Sequence, residues 1–304
     1  MRNAFAKSIT DIAKKDKKLV LLSGDIGNRL FNDFRKNFGN RFYNCGIAEA
    51  NMTTVASGLA TCGLKPITYT IASFNTMRCL EQIRLDICYP NRPVIIVGTG
   101  AGLSYANLGS THHTVEDIGI LKSFPNLQIL CPSDPLETTI ALKQAIASKK
   151  PSYIRLGKKG ESNLNLKQNF KIGKLNIITK GKKNKLVILS YGPIISEVIK
   201  SIKYFNDYNI FPKVIKINSI NPLDKNKILK EIKKFKKIAI VEEHSIINGL
   251  GSQIAEWCAT SKILPAKLKI IGTPHKFLSS CGDYNEAKDL FGLSAKKIFL
   301  KLKR

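Results

Sequence analysis

Residues 94–117, VIIVGTGAGLSYANLGSTHHTVED, decide the fold class of this chain. The apolar, β-branched run at the start predicts a buried strand, the glycine-rich middle predicts a long loop, and a helix is expected to begin near Thr114. A strand, a loop and a helix in this order form the unit of a parallel α/β sheet, in which loops at the carboxyl ends of strands bind ligands. The stretch therefore predicts both a fold class and the position of a binding site.

Outward from this stretch, strand and helix patterns alternate along the whole chain. Strands are predicted at 19–24, 41–45, 66–70, 94–98, 127–132, 152–156, 186–190, 213–217, 238–242 and 267–271. Helices are predicted near 2–15, 48–62, 74–89, 114–123, 134–148, 193–205, 224–235, 249–261 and 294–302. The alternation predicts an α/β fold of two three-layer α/β/α domains with mainly parallel sheets.

A polar, nonperiodic stretch, KKGESNLNLKQNF at 158–170, interrupts this series. It predicts a first domain at 1–160 and a second at 171–304, joined by a linker at 161–170. Residues 158–185, with nine lysines and one acid, are expected to contain this linker and the first strand of the second domain. A chain of 304 residues is long enough for both domains to bury a core.

The formal charge of +27 would by itself suit a nucleic-acid partner. The excess is nearly all lysine, spread among isoleucine and asparagine, without interleaved aromatic residues or a helix-turn-helix pattern. No apolar run approaches the ~18 residues that a membrane span needs. The seven cysteines never form a C-x-x-C pair. We therefore expect a cytoplasmic enzyme with reduced thiols that binds neither nucleic acid nor membrane.

Charged residues are sparse around one carboxylate. Between Phe42 and Met77 the only charged residues are Glu49 and Lys65, and Glu49 lies in GIAEANMTTVASGLATCG at the first turn of a predicted helix. The helix dipole stabilises a carboxylate there, which is one explanation of its position. The other explanation is functional, because burial among neutral residues would let the group share a proton with a ligand nitrogen.

Two adjacent histidines, His112 and His113, end the glycine-rich loop. A histidine here can simply cap or pack, but in an uncharged loop at least one suits a proton shuttle or a ligand for a hydroxyl group. The glycines at 98, 100 and 102 do not form a dinucleotide-binding G-x-G-x-x-G motif, because Leu103 stands at the third required position.

Several segments together resemble the transketolase family, which includes the deoxyxylulose phosphate synthases and the beta subunits of 2-oxo-acid dehydrogenases. They are SGDIG at 23–27, GIAEAN at 46–51, TYTIASF at 68–74, GSTHHTVED at 109–117, CPSDPLE at 131–137 and EEHSIINGLGSQIAE at 242–256. The similarity covers the whole chain but only the C-terminal half of a full-length transketolase. It implies the C-terminal subunit, with the pyrimidine-binding and C-terminal domains, of a split thiamine-diphosphate enzyme.

The resemblance implies cofactor contacts at four residues. Glu49 matches the glutamate that hydrogen-bonds N1′ of the aminopyrimidine ring and favours its imino tautomer. Phe74 matches the aromatic residue that stacks on this ring. Asp25 and Ile26 match a loop that reaches the cofactor's rings.

Substrate contacts are implied at His112, which matches the histidine that contacts the donor sugar and the reacting centre, and at His113 beside it. Three positions depart from the transketolases that use sugar phosphates. Gly100 replaces a phosphate-binding histidine, Leu108 replaces an aspartate that recognises a donor hydroxyl, and Lys158 replaces an arginine. A lysine still binds phosphate as a point charge. These departures imply a sugar or sugar-phosphate donor other than the usual pentose phosphate.

The metal- and diphosphate-binding motif G-D-G…N of the family's N-terminal domain is missing from this sequence. The resemblance therefore implies that Mg²⁺ and the diphosphate are held by a separate N-terminal subunit, with two copies of each chain in the assembly. The implied reaction moves a two-carbon ketol unit from a ketose to an aldose. The alternatives are a chain like the deoxyxylulose phosphate synthases or the dehydrogenase beta subunits, or a noncatalytic scaffold of the same fold.

Overall fold

Two β-sheets with helices packed on them make up the structure, a computed structural model that describes residues 1–27, 29–164, 166, 170–262, 267–279 and 282–303. The strands are β1 Leu19–Ser23, β2 Phe42–Asn44, β3 Lys65–Ile71, β4 Ile95–Thr99, β5 Gln128–Leu130, β6 Ser152–Arg155, β7 Leu175–Lys180, β8 Leu186–Tyr191, β9 Lys213–Ile217, β10 Ser219–Asn221, β11 Lys237–Ser245 and β12 Lys267–Thr273.

The α-helices among the described residues follow the same order. They are α1 Arg2–Lys15, α2 Asn32–Phe38, α3 Glu49–Thr61, α4 Ala72–Thr76, α5 Leu80–Gln82, α6 Asp117–Leu121, α7 Pro135–Ser148, α8 Ile195–Asp207, α9 Lys225–Ile232, α10 Leu250–Thr260, α11 Tyr284–Leu290 and α12 Ala295–Leu302. Short 3₁₀ turns lie at Gly39–Arg41, Met77–Cys79, Ala106–Thr111 and Gly192–Ile194, and a π-helical segment lies at Ile83–Cys88.

The first sheet has seven strands in the order β10-β5-β6-β4-β3-β1-β2. They pair in parallel except for β10, which runs antiparallel to β5. Strand β1 lies between β2 and β3, so the chain leaves β1 toward one side of the sheet and later builds the other side from β3. Such a reversal of strand order opens a crevice at the carboxyl ends of the two strands, where α/β sheets bind ligands.

The second sheet has five strands in the order β12-β11-β8-β9-β7. Strand β7 pairs antiparallel with β9, and the other pairs are parallel. The predicted fold class, α/β with two mainly parallel sheets, is therefore confirmed. One residue after β9 the chain crosses to the first sheet and forms its edge strand β10, so the C-terminal part of the chain completes the sheet of the N-terminal part.

The largest cluster of buried apolar side chains is continuous across both sheets. It includes Leu22 and Ile96 from the first sheet and Val187 and Ile240 from the second, all almost fully buried. Two further clusters pack on strands of one sheet each, around Leu21 and Ile67 in the first and around Ile188 and Val241 in the second. Because burying one large aliphatic side chain contributes about 1.5–3 kcal/mol, the shared cluster holds the two sheets together.

The ten strands placed from the sequence are present with small shifts of their bounds, and the strand expected within 158–185 is β7. The nine predicted helices also correspond to observed helices, although the one near 74–89 is broken into α4, a 3₁₀ turn, α5 and the π-helical segment. Strand β10 and helices α2 and α11 were not predicted. Domain bounds at 1–160 and 171–304 stay a prediction. Within the described ranges, no helix is both long and apolar enough to cross a membrane.

Candidate active site

The crevice between β1 and β3 is built around Glu49, the first residue of α3. This carboxylate is only 4% exposed. Gly24, directly after β1, donates its backbone N–H to Tyr69 O of β3 at 3.0 Å. A Cβ atom at Gly24 would lie 2.9 Å from Thr70 Oγ1, so the ends of β1 and β3 come this close because residue 24 has no side chain; the same Cβ atom would be in ordinary contact with Glu49 Oε1 at 3.8 Å.

Arg78 is the direct partner of Glu49. Its Nη1 donates to Glu49 Oε2 at 3.0 Å, and its guanidinium carbon lies 4.0 Å from the centroid of the Phe74 ring. The Arg78 side chain is 47% exposed, so one partner of this ion pair is buried and the other reaches solvent. The neutral surroundings that the sequence indicated for Glu49 therefore contain one cation, which comes from just past the end of the neutral stretch at Met77.

A run of ring contacts connects this pair to the histidine loop, residues 101–116. The Phe74 and His112 rings meet edge to face with their centroids 5.3 Å apart, and the centroid of the Tyr105 ring lies 5.8 Å from that of the His112 ring. Lys158 places its Nζ 4.0 Å from the centroid of the Tyr105 ring. Four residues named from the sequence, Glu49, Phe74, His112 and Lys158, thus lie along one line of contacts, with Arg78 and Tyr105 as intermediates that sequence reasoning missed.

Thr111 contacts the His112 ring at Nδ1. Its Oγ1 lies 3.1 Å from Leu108 O and 2.9 Å from His112 Nδ1, and when the hydroxyl hydrogen is donated to Leu108 O, Oγ1 accepts the Nδ1–H hydrogen. The neutral ring then has its acceptor lone pair on Nε2. Burial lowers the pKa of His112, and the charges of Lys158 and Arg78 lower it further, so the ring is neutral at pH 7.

His113 points elsewhere and is 4% exposed. Its Nε2 donates to Ala106 O at 3.3 Å, which makes Nδ1 the acceptor nitrogen, and Nδ1 has no hydrogen-bond partner among the described residues. Burial lowers the pKa of His113. Asp25 and Ile26 lie in the loop after β1: Asp25 is exposed and accepts from Asn44 Nδ2 at 3.2 Å, and Ile26 packs on the first sheet's core.

Two cavities adjoin the contact line. One, of about 800 Å³, is lined by Phe74, Arg78, Thr111, His113 and Lys276 together with other residues of both domains. The other, of about 430 Å³, is lined on one side by Lys158, Lys159 and Ser104 and on the other by Tyr284.

The second cavity carries two charges of each sign, because Glu161 and Asp283 line it together with Lys158 and Lys159. Burial lowers the pKa of Lys158, and the positive charges of Lys159 and Arg2 lower it further. Glu161 is bound to the N-terminal ammonium group and Asp283 caps the start of α11, so the two lysines are the cations that an anionic group of a ligand would meet here.

The aminopyrimidine ring implied by the sequence resemblance fits the residues at the crevice. The Thr70 hydroxyl is buried without a hydrogen-bond partner among the described residues. Beside it stand an acidic oxygen, Glu49 Oε1, and the flat ring of Phe74, which is partly exposed. A flat heterocycle with ring nitrogens and an exocyclic amine needs this combination of an aromatic face and polar oxygens.

Comparison with known proteins assigns a domain family to each half of the chain. Residues 1–161 match the family model of the transketolase pyrimidine-binding domain, and residues 173–298 match that of the transketolase C-terminal domain. The chain is 31% identical over 276 residues to an apulose-4-phosphate transketolase subunit of Phocaeicola vulgatus, a match that covers 90% of this chain and 87% of that relative.

Two other relatives bear on the reaction. A 6-deoxy-6-sulfo-D-fructose transketolase subunit of Clostridium sp. is 28% identical over 98% of this chain and 92% of the relative. The 1-deoxy-D-xylulose-5-phosphate synthase of Halothermothrix orenii is 32% identical over 90% of this chain, but the match covers only 43% of that protein. A solved structure described as a split gene transketolase, inactive beta4 tetramer, aligns with a TM-score of 0.86 at 29% identity over 99% of this chain and 96% of that chain.

Proposed function

The chain belongs to the transketolase family, and we propose that it works as the C-terminal subunit of a split transketolase on sugars with an anionic end group. As a transketolase-type transferase it depends on thiamine diphosphate, which supplies a carbon nucleophile for attack on a ketose carbonyl. The two-carbon ketol unit of the ketose is then passed to an aldose.

The observation that carries this proposal is the unbroken line of contacts from Glu49 through Arg78 and Phe74 to His112. Glu49 Oε1 would hold a ring nitrogen of the aminopyrimidine, and Phe74 would stack on the ring. Asp25 and Ile26 would flank it from the loop after β1.

Arg78 orients the Glu49 carboxyl group by binding its other oxygen. His112, neutral and with its lone pair on Nε2, would accept a hydrogen from a donor hydroxyl beside the reacting centre. His113 would contribute to the wall of the larger cavity beside the donor, while its Nδ1 stays buried.

An anionic end group on the substrate is supported by the two lysines rather than the two acids of the smaller cavity, because Glu161 and Asp283 already bind the N-terminal ammonium group and the start of α11. Lys158 and Lys159 line this cavity, and Arg2 lies close enough to lower the pKa of Lys158. The named substrates of two relatives, apulose 4-phosphate and 6-deoxy-6-sulfo-D-fructose, end in a phosphate and a sulfonate. We propose a phosphorylated or sulfonated sugar as the donor of this chain also, bound by lysine as a point charge.

A partner chain is supported by the surface around Glu49. Ile47, two residues before Glu49, is 79% exposed, and Tyr43 of β2 and Val55 of α3 are also exposed, so the segments on either side of Glu49 present an apolar surface to solvent. We propose that an N-terminal subunit covers this surface and holds Mg²⁺ and the diphosphate, in a heterotetramer with two copies of each chain. The six described cysteines are free thiols, which suits the cytoplasm as the place of action.

The decisive experiment is Glu49→Gln in the complex with the N-terminal subunit. Turnover of a ketose and an aldose should fall by about 100-fold or more, because proton transfer through the carboxyl group is lost. Glu81→Gln, on the exposed helix α5, is the matched control and should keep full turnover. The size of the complex should be unchanged in both variants, and the urea unfolding midpoint should fall only in Glu49→Gln, because that variant loses the ion pair with Arg78. Near-normal turnover of Glu49→Gln would refute the proposal.

The second candidate is the deoxyxylulose phosphate synthase reaction, which the match to the H. orenii enzyme favours. Ketol transfer consumes a ketose and an aldose, whereas the synthase consumes pyruvate and releases carbon dioxide. Supplying the complex with each substrate pair separates the two. Release of carbon dioxide from pyruvate, without turnover of any phosphorylated or sulfonated ketose, would establish the synthase.

A further inference from the structure

The histidine loop is closed at its base by a pair of backbone hydrogen bonds. Gly102 N donates to Thr114 O at 2.8 Å, and Thr114 N donates to Gly102 O at 3.0 Å. His112 lies inside this closed loop, so its position depends on how the two ends of the loop are held.

Both ends are held by strand β11 of the second sheet. At the first end, Leu103 N donates to Glu243 Oε1 at 2.6 Å. At the second end, Ser245 N donates to Val115 O at 2.7 Å. Arg155 bridges the two, because its Nη2 donates to Thr114 O and to Glu243 O, each at 3.0 Å.

The Glu243 side chain is buried and positioned to hold the histidine loop. It is 2% exposed, and its second oxygen accepts from Tyr284 OH at 2.6 Å. A Cβ atom at Gly102 would lie 2.3 Å from Glu243 Oε1, so the loop backbone fits against the carboxyl group only because this residue is glycine, whose φ of +68° also favours it. Burial raises the pKa of Glu243.

Glu242, the preceding residue of β11, binds only groups of its own domain and serves as a structural comparison for Glu243. Its oxygens accept from Tyr191 OH, Leu250 N and Gly251 N, all within the second domain, where it caps the start of α10. Consecutive strand residues face opposite sides. Glu243 therefore points the other way, toward the histidine loop of the first domain.

We propose that Glu243 is a positioning residue for His112: by binding Leu103 N it fixes the histidine loop and thereby sets where the donor sugar is bound. The C-terminal domain thus contributes to donor binding through a residue that does not itself touch the donor. This inference rests on the proposed function in one respect, that His112 contacts the donor.

The test compares Glu243→Ala, Glu243→Gln and the matched control Glu242→Ala in the complex with the N-terminal subunit. In Glu243→Ala, amide hydrogen exchange across residues 101–113 should rise about tenfold, as expected when a buried backbone N–H loses its partner. The KM for the donor should rise by about the same factor, and cofactor affinity should be unchanged because Glu49 and Phe74 are not moved.

Glu243→Gln keeps an amide oxygen for Leu103 N, so its donor KM and loop exchange should stay within about threefold of the original protein. Glu242→Ala should lower the urea unfolding midpoint but leave the loop exchange and donor KM unchanged. The proposal is overturned if Glu243→Ala keeps the original donor KM, or if it changes only the unfolding midpoint as Glu242→Ala does. Either result would leave the outcome of Glu49→Gln, and with it the proposed function, unaffected.

Discussion

Replacing Gly98 by alanine tests whether the packing behind Phe74 is as tight as the structure shows. A Cβ atom at Gly98, in strand β4, would lie 2.9 Å from Ala72 Cα, Ala72 Cβ and Tyr153 Cε2. Carbon atoms prefer separations of about 3.5 Å or more, so each neighbour would have to retreat by roughly 0.6 Å. Ala72 and Tyr153 are fully buried and have no free space to move into.

The expected cost follows from these contacts. Overpacking of this kind costs about 1–3 kcal/mol, and the smaller backbone entropy loss of alanine offsets about 0.5–1 kcal/mol of it. The free energy of unfolding should therefore fall by about 1 kcal/mol, and by no more than about 2.5 kcal/mol, which lowers Tm by about 2–4 °C for each kcal/mol in a protein of this size. Because Ala72 begins the helix that carries Phe74, cofactor affinity in the complex should also weaken.

Urea denaturation and calorimetry of the purified chain measure this change, with Gly58→Ala as the matched control. Gly58 lies in helix α3, where a Cβ atom would meet nothing within 4 Å. That variant should be stabilised by about 0.5–1 kcal/mol, because alanine is the better helix former. If Gly98→Ala were as stable as the original protein while Gly58→Ala showed its gain, the packing argument would be refuted.

Three further outcomes are expected. Arg78→Met removes the cation that pairs with buried Glu49. It should lower the free energy of unfolding by about 1–3 kcal/mol, a value between those of fully exposed and fully buried ion pairs. If the effects of Arg78→Met and Glu49→Gln were additive in a double-mutant cycle, the pairing would be contradicted. Lys158→Met removes a positive charge near His112, so the pKa of His112 should rise toward its ordinary value. The acidic limb of the pH profile of kcat/KM should then move to higher pH. An unchanged titration of His112 by NMR would show that the charge of Lys158 does not affect this ring. Arg155→Met removes the cation that pairs with buried Asp117 and one hydrogen-bond donor to each of Thr114 O and Glu243 O, so it should cost about 3–5 kcal/mol in urea denaturation; a loss below about 1 kcal/mol would disprove the role of this buried pair.

The sequence predicted most of the fold because buried strands and amphipathic helices leave periodic patterns that do not depend on tertiary contacts. Strand β10 has only three residues, and its pairing with β5 depends on how the two sheets meet, which no local pattern records. Helix α11 had a local signal that was overlooked: Asp283 and Glu286 form a capping box at its start.

For the site, motif resemblance singled out Glu49, Phe74, His112 and Lys158, which the structure brings along one line of contacts. Their assigned roles stay predictions. Arg78 was missed although it follows Phe74 by four residues, the spacing at which side chains meet on a helix. Glu243 could not be connected with the histidine loop from sequence, because the two are far apart along the chain and meet only through the packing of the second sheet against the first.

The crossing of residues 219–221 to the first sheet has a consequence for protein engineering. A fragment cut in the lysine-rich stretch near residue 165 would lose the neighbour of β5 and expose the backbone N–H and C=O groups of that strand to other chains. Chimeras that exchange the C-terminal portion between relatives would replace this short strand as well, so their success would depend on how well a foreign three-residue segment pairs with the retained sheet.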